Sequence, residues 1–435
     1  MTSTMKNTLL YLIVAFALLL VGLFQSWSVA FSIFNFCLIS AIMALGVNIQ
    51  WGYGGLFNAG VMGSAALGGL AAVLVSAAPI QEAWSAGGTG VGFGLLTVIA
   101  TIALCIFIYR RMSAYKDISY MIIGVVVLIG YVIARSFFDQ ATGAIELVDA
   151  ANTGFLGGLG LPIIFSWPVG GLLAAAAAWV VGKIALGLRS DYLAIATLGI
   201  SEIIIAFIKN EDWLTRGVKN VTGLSRPVPY EVELQKDPYY QMLANDMGIS
   251  IIEFSSLMVK ISYSAIFIVV LALVYYLSEK AWKSPWGRMM RAIRDNEVSA
   301  NAMGKNIKAR HLQVFVLGSA VIGLAGAMLT TLDGQFTPTS YQPLRFTFLI
   351  WVMVIVGGSG NNAGAILGAF IVWFTWNQAP EFGKYIIDLT TGGLGDTSPL
   401  RKHLIANAEQ TRLVMMGLIL LLVLRFSPRG LIPEK

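Results

Sequence analysis

The chain has 435 residues, of which 57% are apolar and 12% charged, with a mean hydropathy of +0.75. Soluble domains carry about 25% charged residues, so a water-soluble globule is excluded. So are a disordered chain, a disulfide scaffold (two Cys) and, at a net charge of +6 thinly spread over 29 Lys and Arg, a nucleic-acid binder.

A polytopic membrane protein is what this composition allows. Lipid offers no hydrogen bonds to backbone, so spans are helices of about 20 apolar residues or closed barrels of alternating strands. The apolar runs here are long and continuous, without alternation, which predicts an all-α bundle. In chain order they cover 9–24, 29–50, 55–78, 91–110, 118–138, 168–187, 191–208, 258–278, 311–332, 344–358, 361–379 and 411–426. These runs predict about 10–12 transmembrane helices in a single domain over 1–435. The run 344–358 is short for a crossing and reads as a broken or re-entrant helix. Lys6 followed by an apolar run resembles a signal peptide, but with so many spans behind it an uncleaved first helix is expected.

Short cytoplasmic loops retain Lys and Arg. Basic clusters fall at Arg110, Arg111 and Lys116, at Lys183 and Arg189, and at Arg425, Arg429 and Lys435. The largest is 279–310, with eight basic residues against three acidic ones, while 139–167 has three acidic and no basic residues and 209–257 has seven against five. Twelve crossings with both termini cytoplasmic satisfy every cluster. Cys37 and Cys105 sit in apolar runs as small hydrophobes, and His311 and His403 are isolated, so no metal site is expected. No phosphate-binding G-x-x-x-x-G-K-[ST] run occurs, so ATP, if used, is bound by another chain.

The segment SPWGRMMRAIRDNEVSANAMGKNI, 284–307, predicts a capped amphipathic helix. Ser284 is an N-cap and Pro285 suits the first turn; Arg288, Arg291 and Arg294 recur every third residue, Met289, Met290, Ile293 and Met303 supply apolar surface, and Gly304 is a stop. Such a helix docks another protein, or its arginines meet anionic headgroups.

This segment resembles the cytoplasmic coupling loop of ATP-binding-cassette (ABC) importer permeases, in the form found in branched-chain amino-acid permeases. The positions carrying the resemblance are Gly287, Arg288, Ala292, Ile293, Arg294, Glu297, Ala300 and Gly304, with Val298 and Ser299 in place of the usual pair of alanines. Three further stretches are similar to the same family: 44–63, with Asn48, Gly52, Tyr53, Gly55 and Leu56; 188–204, with Asp191, Tyr192, Ala194, Thr197, Leu198, Gly199 and Glu202; and the Gly-rich 353–371. The chain departs from many members in lacking a histidine after the first glycine run, where Phe57, Asn58, Ala59 and Gly60 stand, and in extra length near 80–165, 210–257 and 380–410.

The resemblance implies the transmembrane permease subunit of an importer of branched-chain amino acids or related small polar solutes, urea and short amides included, working by alternating access in a bacterial inner membrane. It implies a homologous second permease subunit, two ATPase subunits holding ATP and Mg, and a periplasmic solute-binding protein. It makes 279–310 the coupling loop, with Arg291 beside the motif residues; the distribution of charge, not the resemblance, puts the insertions 209–257 and 380–410 outside. No cofactor and no catalytic chemistry are expected in this chain.

Translocation-path candidates come from the glycines and from intramembrane polar groups. Gly52, Gly54 and Gly55 form one cluster and Gly357, Gly358 and Gly360 another, each followed by N-A-G, as in a duplicated unit with breaks in corresponding places. Close helix packing is the other use of such glycines. With them go Asn48, Tyr53, Asn58 and Thr197. Glu202 is the one acidic residue well inside a predicted span, either a solute ligand or half of an ion pair with a neighbouring helix. Asp333 and Arg345 read as ordinary interface residues. The alternative is a self-contained secondary transporter of amino acids, which would need ion-coupling carboxylates deep in the bundle; a membrane enzyme would need a cluster of His, Asp or Cys.

Overall fold

The computed structural model describes residues 3–112, 115–149, 154–392 and 398–434. Each of the twelve apolar runs carries a helix. In order these are α1 (Ser3–Phe24), α2 (Trp27–Val47), α3 (Val61–Ser76), α4 (Thr89–Arg111), α5 (Lys116–Leu147), α6 (Ser166–Ala185), α7 (Ser190–Asn210) and α8 (Ile251–Lys283). After the short helices α9 (Pro285–Asp295) and α10 (Glu297–Ala302) come α11 (Ile307–Asp333), α12 (Pro343–Gly357), α13 (Asn362–Thr391), α14 (Pro399–Ala406) and α15 (Thr411–Phe426).

Eight helices are long and apolar enough to cross a bilayer alone, and a ninth forms if α14 and α15, bent by 50°, count as one span. Helices α3 and α12 are apolar but short, and α13 carries Pro380 within it. The chain is an all-α polytopic membrane protein. Two two-residue strands are the only β structure among the described residues: Val221–Thr222 pairs antiparallel with Gln335–Phe336 and ties the 209–250 region to the far end of α11.

Burial separates core from periphery. The apolar window of α2 is 72% buried and that of α11 is 56%, whereas α4 and α5 reach 11% and 6%. Without water to drive helices together, close approach through small residues holds them. A Cβ on Gly68 of α3 would collide with the carbonyl of Gly323 on α11, and one on Gly326 with that of Ala65. Helices α4 and α5 pack mainly on each other as a hairpin; Ala83, Val91, Ala141 and Ile145 join it to Leu156 and Trp213.

The helix starts obey local chemistry. Ser26, Ser250, Ser284, Asn306 and Asn361 each accept a backbone N–H of the first turn with their side chains. One expectation is corrected: 284–304 is two helices. Asn296 adopts extended backbone and caps α10 by accepting from Ser299 N, so the chain turns between α9 and α10. Val298 and Met303 consequently stand 81% and 80% exposed, and Met303 adds nothing to the buried face of α9.

Candidate functional site

Helix α9 is seated under the bundle by its apolar side. Met290 and Ile293 are fully buried against Ile49, Tyr53 and Val314. The turn into α9 is tight, because a Cβ on Gly287 would strike the carbonyls of Trp282 and Ala281. The three arginines diverge. Arg288 is exposed; Arg291 lies 4.6 Å over the Trp282 ring, which stacks on Tyr53 at 4.3 Å; Arg294 turns inward. Its Nη1 donates to the Gly52 carbonyl, and its guanidinium grips Glu434 with both oxygens, at 2.9 and 3.1 Å. A bidentate fork of this kind fixes geometry as well as charge. Burial acts against the cation at Arg294, but Glu434 and Asp295 outweigh it and raise its pKa.

Above Arg294 the two glycine clusters meet. Asn48 Oδ1 accepts from Gly360 N at 2.8 Å, and a Cβ on Gly52 would lie 2.6 Å from that same nitrogen. Asn362 Oδ1 accepts from Asn48 Nδ2 (3.0 Å) and from Tyr53 OH (2.7 Å), while its Nδ2 donates to Glu279 (3.0 Å). The segment 427–434 straps the underside. Leu431 and Ile432 donate their amides to the carbonyls of Val356 and Gly357, both at 2.9 Å, and Asn361 Nδ2 donates to Pro433 O at 3.1 Å. Gly357 and Gly358 are packed against α13 and this strap, Gly358 at a φ of +117°. Gly54 abuts Val314, and Gly55, at a φ of +66°, abuts Arg294.

A second polar site lies deeper. After a π-helical turn over Asn48–Tyr53 the chain continues as non-helical segment 55–60, with Leu56 and Asn58 buried. Irregular backbone at this depth is stable only if protein satisfies it, and it does. Ala59 N donates to Thr197 Oγ1 (3.0 Å), Gly60 N to Asn58 Oδ1 (2.8 Å), and Trp351 Nε1 to Asn58 O (3.0 Å). Gln50 bridges the segment to α11, accepting from Asn58 Nδ2 and donating to Phe315 O and Ser319 Oγ. A cavity of about 30 Å³ lies between Asn58, Thr197, Ser201, Ser319 and their neighbours, the volume of one or two waters.

The sequence candidates thus fall into three groups. Gly52, Gly55 and Gly360 lie against Arg294, with Asn48 and Tyr53 bonded into the same junction, while Gly54 packs on Val314 and Gly357 and Gly358 on α13 and the strap; Asn58 and Thr197 share the small cavity; Glu202 stands apart. Glu202 has no ion pair or side-chain hydrogen bond among the described residues and is exposed on α7, near Ile195 and Ile203, both 68% exposed. Gly199 on that face has open space beside it. Glu297, Ala292 and Gly304 are exposed and Ala300 is buried; Glu297 lies 3.6 Å from His311 Nε2. Sequence reasoning missed Asn362, Glu279, Glu434 and Gln50. Asn362 belongs to the second N-A-G and could have been found there; the others carried no local signal.

An all-helical bundle, a capped helix pair beneath it and glycine-mediated reversals bound by buried amides describe a polytopic α-helical membrane protein. The chain belongs to the family of branched-chain amino acid transport system permease components, whose profile matches residues 29–424. It is 28% identical over 230 residues to the high-affinity branched-chain amino acid transport system permease protein LivM of Escherichia coli, covering 52% of this chain and 53% of that one. To the probable branched-chain amino acid transport permease protein LivM of Methanocaldococcus jannaschii it is 27% identical over 299 residues, 68% of this chain and 74% of the other. It is also 28% identical to the xylose transport system permease protein XylH of Escherichia coli over 116 residues, 25% of this chain and 30% of that one. The chain thus spans about half the length of the Escherichia coli LivM protein. No solved structure matches it.

Proposed function

We propose that the chain is the membrane-spanning permease subunit of an ATP-driven importer of branched-chain amino acids or similar small solutes, with alternating access driven through α9 and α10. The observation that carries this reading is Arg294. It ties the candidate coupling helix to the first reversal at Gly52 and, through Glu434, to the strap on the second. The basic end of the bundle, with 279–310, is cytoplasmic, and 209–257 and 380–410 lie outside.

The partners follow from the open surfaces. Val298 and Met303 at α10 and Ala292 and Arg288 on α9 are all exposed, a surface suited to a groove on an ATPase subunit that holds ATP and Mg. The α7 face with Gly199 and Glu202 is left for a homologous second permease, which would enclose Glu202 between the two subunits, while Thr197 and Asn58 are path candidates inside this chain. A solute-binding protein delivers from the outer side, and the membrane is the bacterial inner one.

Reconstitution of the assembled complex with ATP, binding protein and labelled leucine tests the reading. Leucine uptake is expected to require ATP, and Val298→Asp combined with Met303→Asp is expected to abolish both uptake and co-purification of the ATPase. Uptake that persists in this double variant with no ATPase bound would show a self-contained transporter instead.

A further inference from the structure

Two cavities at the end of the bundle opposite α9 share a wall. The larger, 190 Å³, lies between α2, α3, α11, α12 and α13 and is lined mainly by apolar side chains, among them Ile39, Met43, Met62, Leu329, Leu349 and Ile350. The smaller, 170 Å³, lies between α2, α8 and α11 and is lined by Asn35, Arg226, Glu231, Lys260 and Tyr263. Phe36 and Asp333 border both. The apolar chamber has room for a small hydrocarbon group, since an engineered cavity of about 150 Å³ holds benzene.

The charges around the shared wall are unevenly matched. Arg226 and Glu231 pair with each other at 3.0 Å. Lys260 donates only to Ser28, through its carbonyl at 3.1 Å and its hydroxyl, and Asp333 forms no ion pair or side-chain hydrogen bond among the described residues. A cation and an anion therefore border the smaller cavity, half-buried Lys260 on α8 and Asp333 exposed at the outer end of α11, with no ion pair to either among the described residues. Two side chains of the apolar chamber, Thr337 and Trp373, also hold buried polar atoms with no hydrogen-bond partner among the described residues. Buried polar groups nearly always find partners in a completed site.

We infer that the paired cavities form a binding site for one zwitterionic α-amino acid with an aliphatic side chain. Its ammonium meets Asp333, its carboxylate meets Lys260, and its side chain enters the chamber lined by Ile39, Leu329 and Ile350. The inference rests on the importer reading and names within this chain a site for the solute in the outer half of the membrane. A ligand with both charges answers Asp333 and Lys260 together, whereas one with a single charge leaves the other unmatched.

The test is binding of labelled leucine to the assembled transporter in nanodiscs without binding protein, competed by 4-methylpentanoate, which lacks the ammonium, and by 3-methylbutylamine, which lacks the carboxylate. Leucine is expected to bind and each analogue to compete at least about tenfold more weakly, the loss of one charge-assisted contact. Asp333→Asn and Lys260→Gln are each expected to weaken leucine binding by a similar factor while the ATPase still co-purifies. The inference is overturned if either analogue competes as well as leucine, if the wild-type complex binds no leucine, or if both variants bind within twofold of wild type. The wild-type analogue series decides the matter should a variant fail to assemble. A complex that imports leucine with ATP while failing these tests retains the importer reading and loses the site; a complex that imports no aliphatic amino acid loses the importer reading itself.

Discussion

Replacing Arg294 by alanine separates two links that the arginine makes at once. The bond to the Gly52 carbonyl is charge-assisted and half-buried, worth about 1.5 to 3 kcal/mol. The fork on Glu434 joins side chains 23% and 27% exposed, so solvent screening leaves it about 1 kcal/mol. The first loss loosens α9 from the first reversal; the second frees the strap. The strap has its own reporters, since the Leu431 and Ile432 amides are held by Val356 and Gly357. Hydrogen exchange at those amides is expected to quicken by up to about tenfold in Arg294→Ala. Glu434→Gln is expected to give nearly the same change, and the double variant no more than Arg294→Ala alone, because both single changes cut one fork. Only Arg294→Ala loses the Gly52 link, so it is expected to lower leucine uptake per ATP hydrolysed further than Glu434→Gln does. Unchanged exchange at Leu431 and Ile432 in Arg294→Ala would refute the strap, and additive effects in the double variant would show that the two residues act separately.

Two further outcomes follow from the packing. Gly52→Ala would place a methyl 2.6 Å from Gly360 N and 2.9 Å from its Cα, where the backbone on both sides cannot withdraw; a cost of about 3 kcal/mol is expected, seen as a steep fall in monodisperse protein on fluorescence-detected size exclusion, and a normal yield would contradict the contact. Gly199→Leu should leave the fold of this chain intact, because nothing lies beside that glycine. It is nonetheless expected to abolish co-purification of the second permease, and a stable pair would show that this face of α7 meets lipid.

The helices were legible because lipid admits so few backbone solutions that apolar length alone finds them. The start of α9 was legible for a local reason, Ser284 and Pro285 being one cap. Its end was less so. Asn296 is as good a cap as Ser284, but inside an apparent amphipathic run it reads as one more solvent-facing polar residue, and only the turn of the chain reveals the cap. The arginine stripe misled in a similar way. A helix advances about 100° per residue, so a three-residue step falls about 60° short of a full turn. Arg288 and Arg294 are two such steps apart, and that offset is what carries one to solvent and the other to Gly52.

The polar junction was only half legible. Asn48 and the glycines announced themselves within short strings, but their partners lie far along the chain: Gly360 and Asn362 for Asn48, and Glu434 for Arg294. Asp333 is the clearest instance. Its position at the end of α11 marks it as an ordinary boundary residue, and the chamber beside it is closed by 335–341, whose Phe336 and Tyr341 pack against Gly69 of α3. Pockets of this kind are properties of packing and leave no periodic trace in sequence.

These links also bear on how motion at the basic end would spread. Arg294 bonds the first reversal and the strap, and the strap bonds the end of α12, so three segments remote in sequence share one side chain. Separating α9 from either reversal costs roughly 1 to 3 kcal/mol per link, and Met290 and Ile293 oppose it further by their complete burial. A displacement of α9 that keeps these links moves both reversals with it. Helix α10 has the opposite character, with Ala300 its single buried residue and Val298 and Met303 open. On the importer reading proposed above, the exposed α10 would be the surface a partner grips and the fastened α9 the helix that passes the displacement to Asn48 and Gly360.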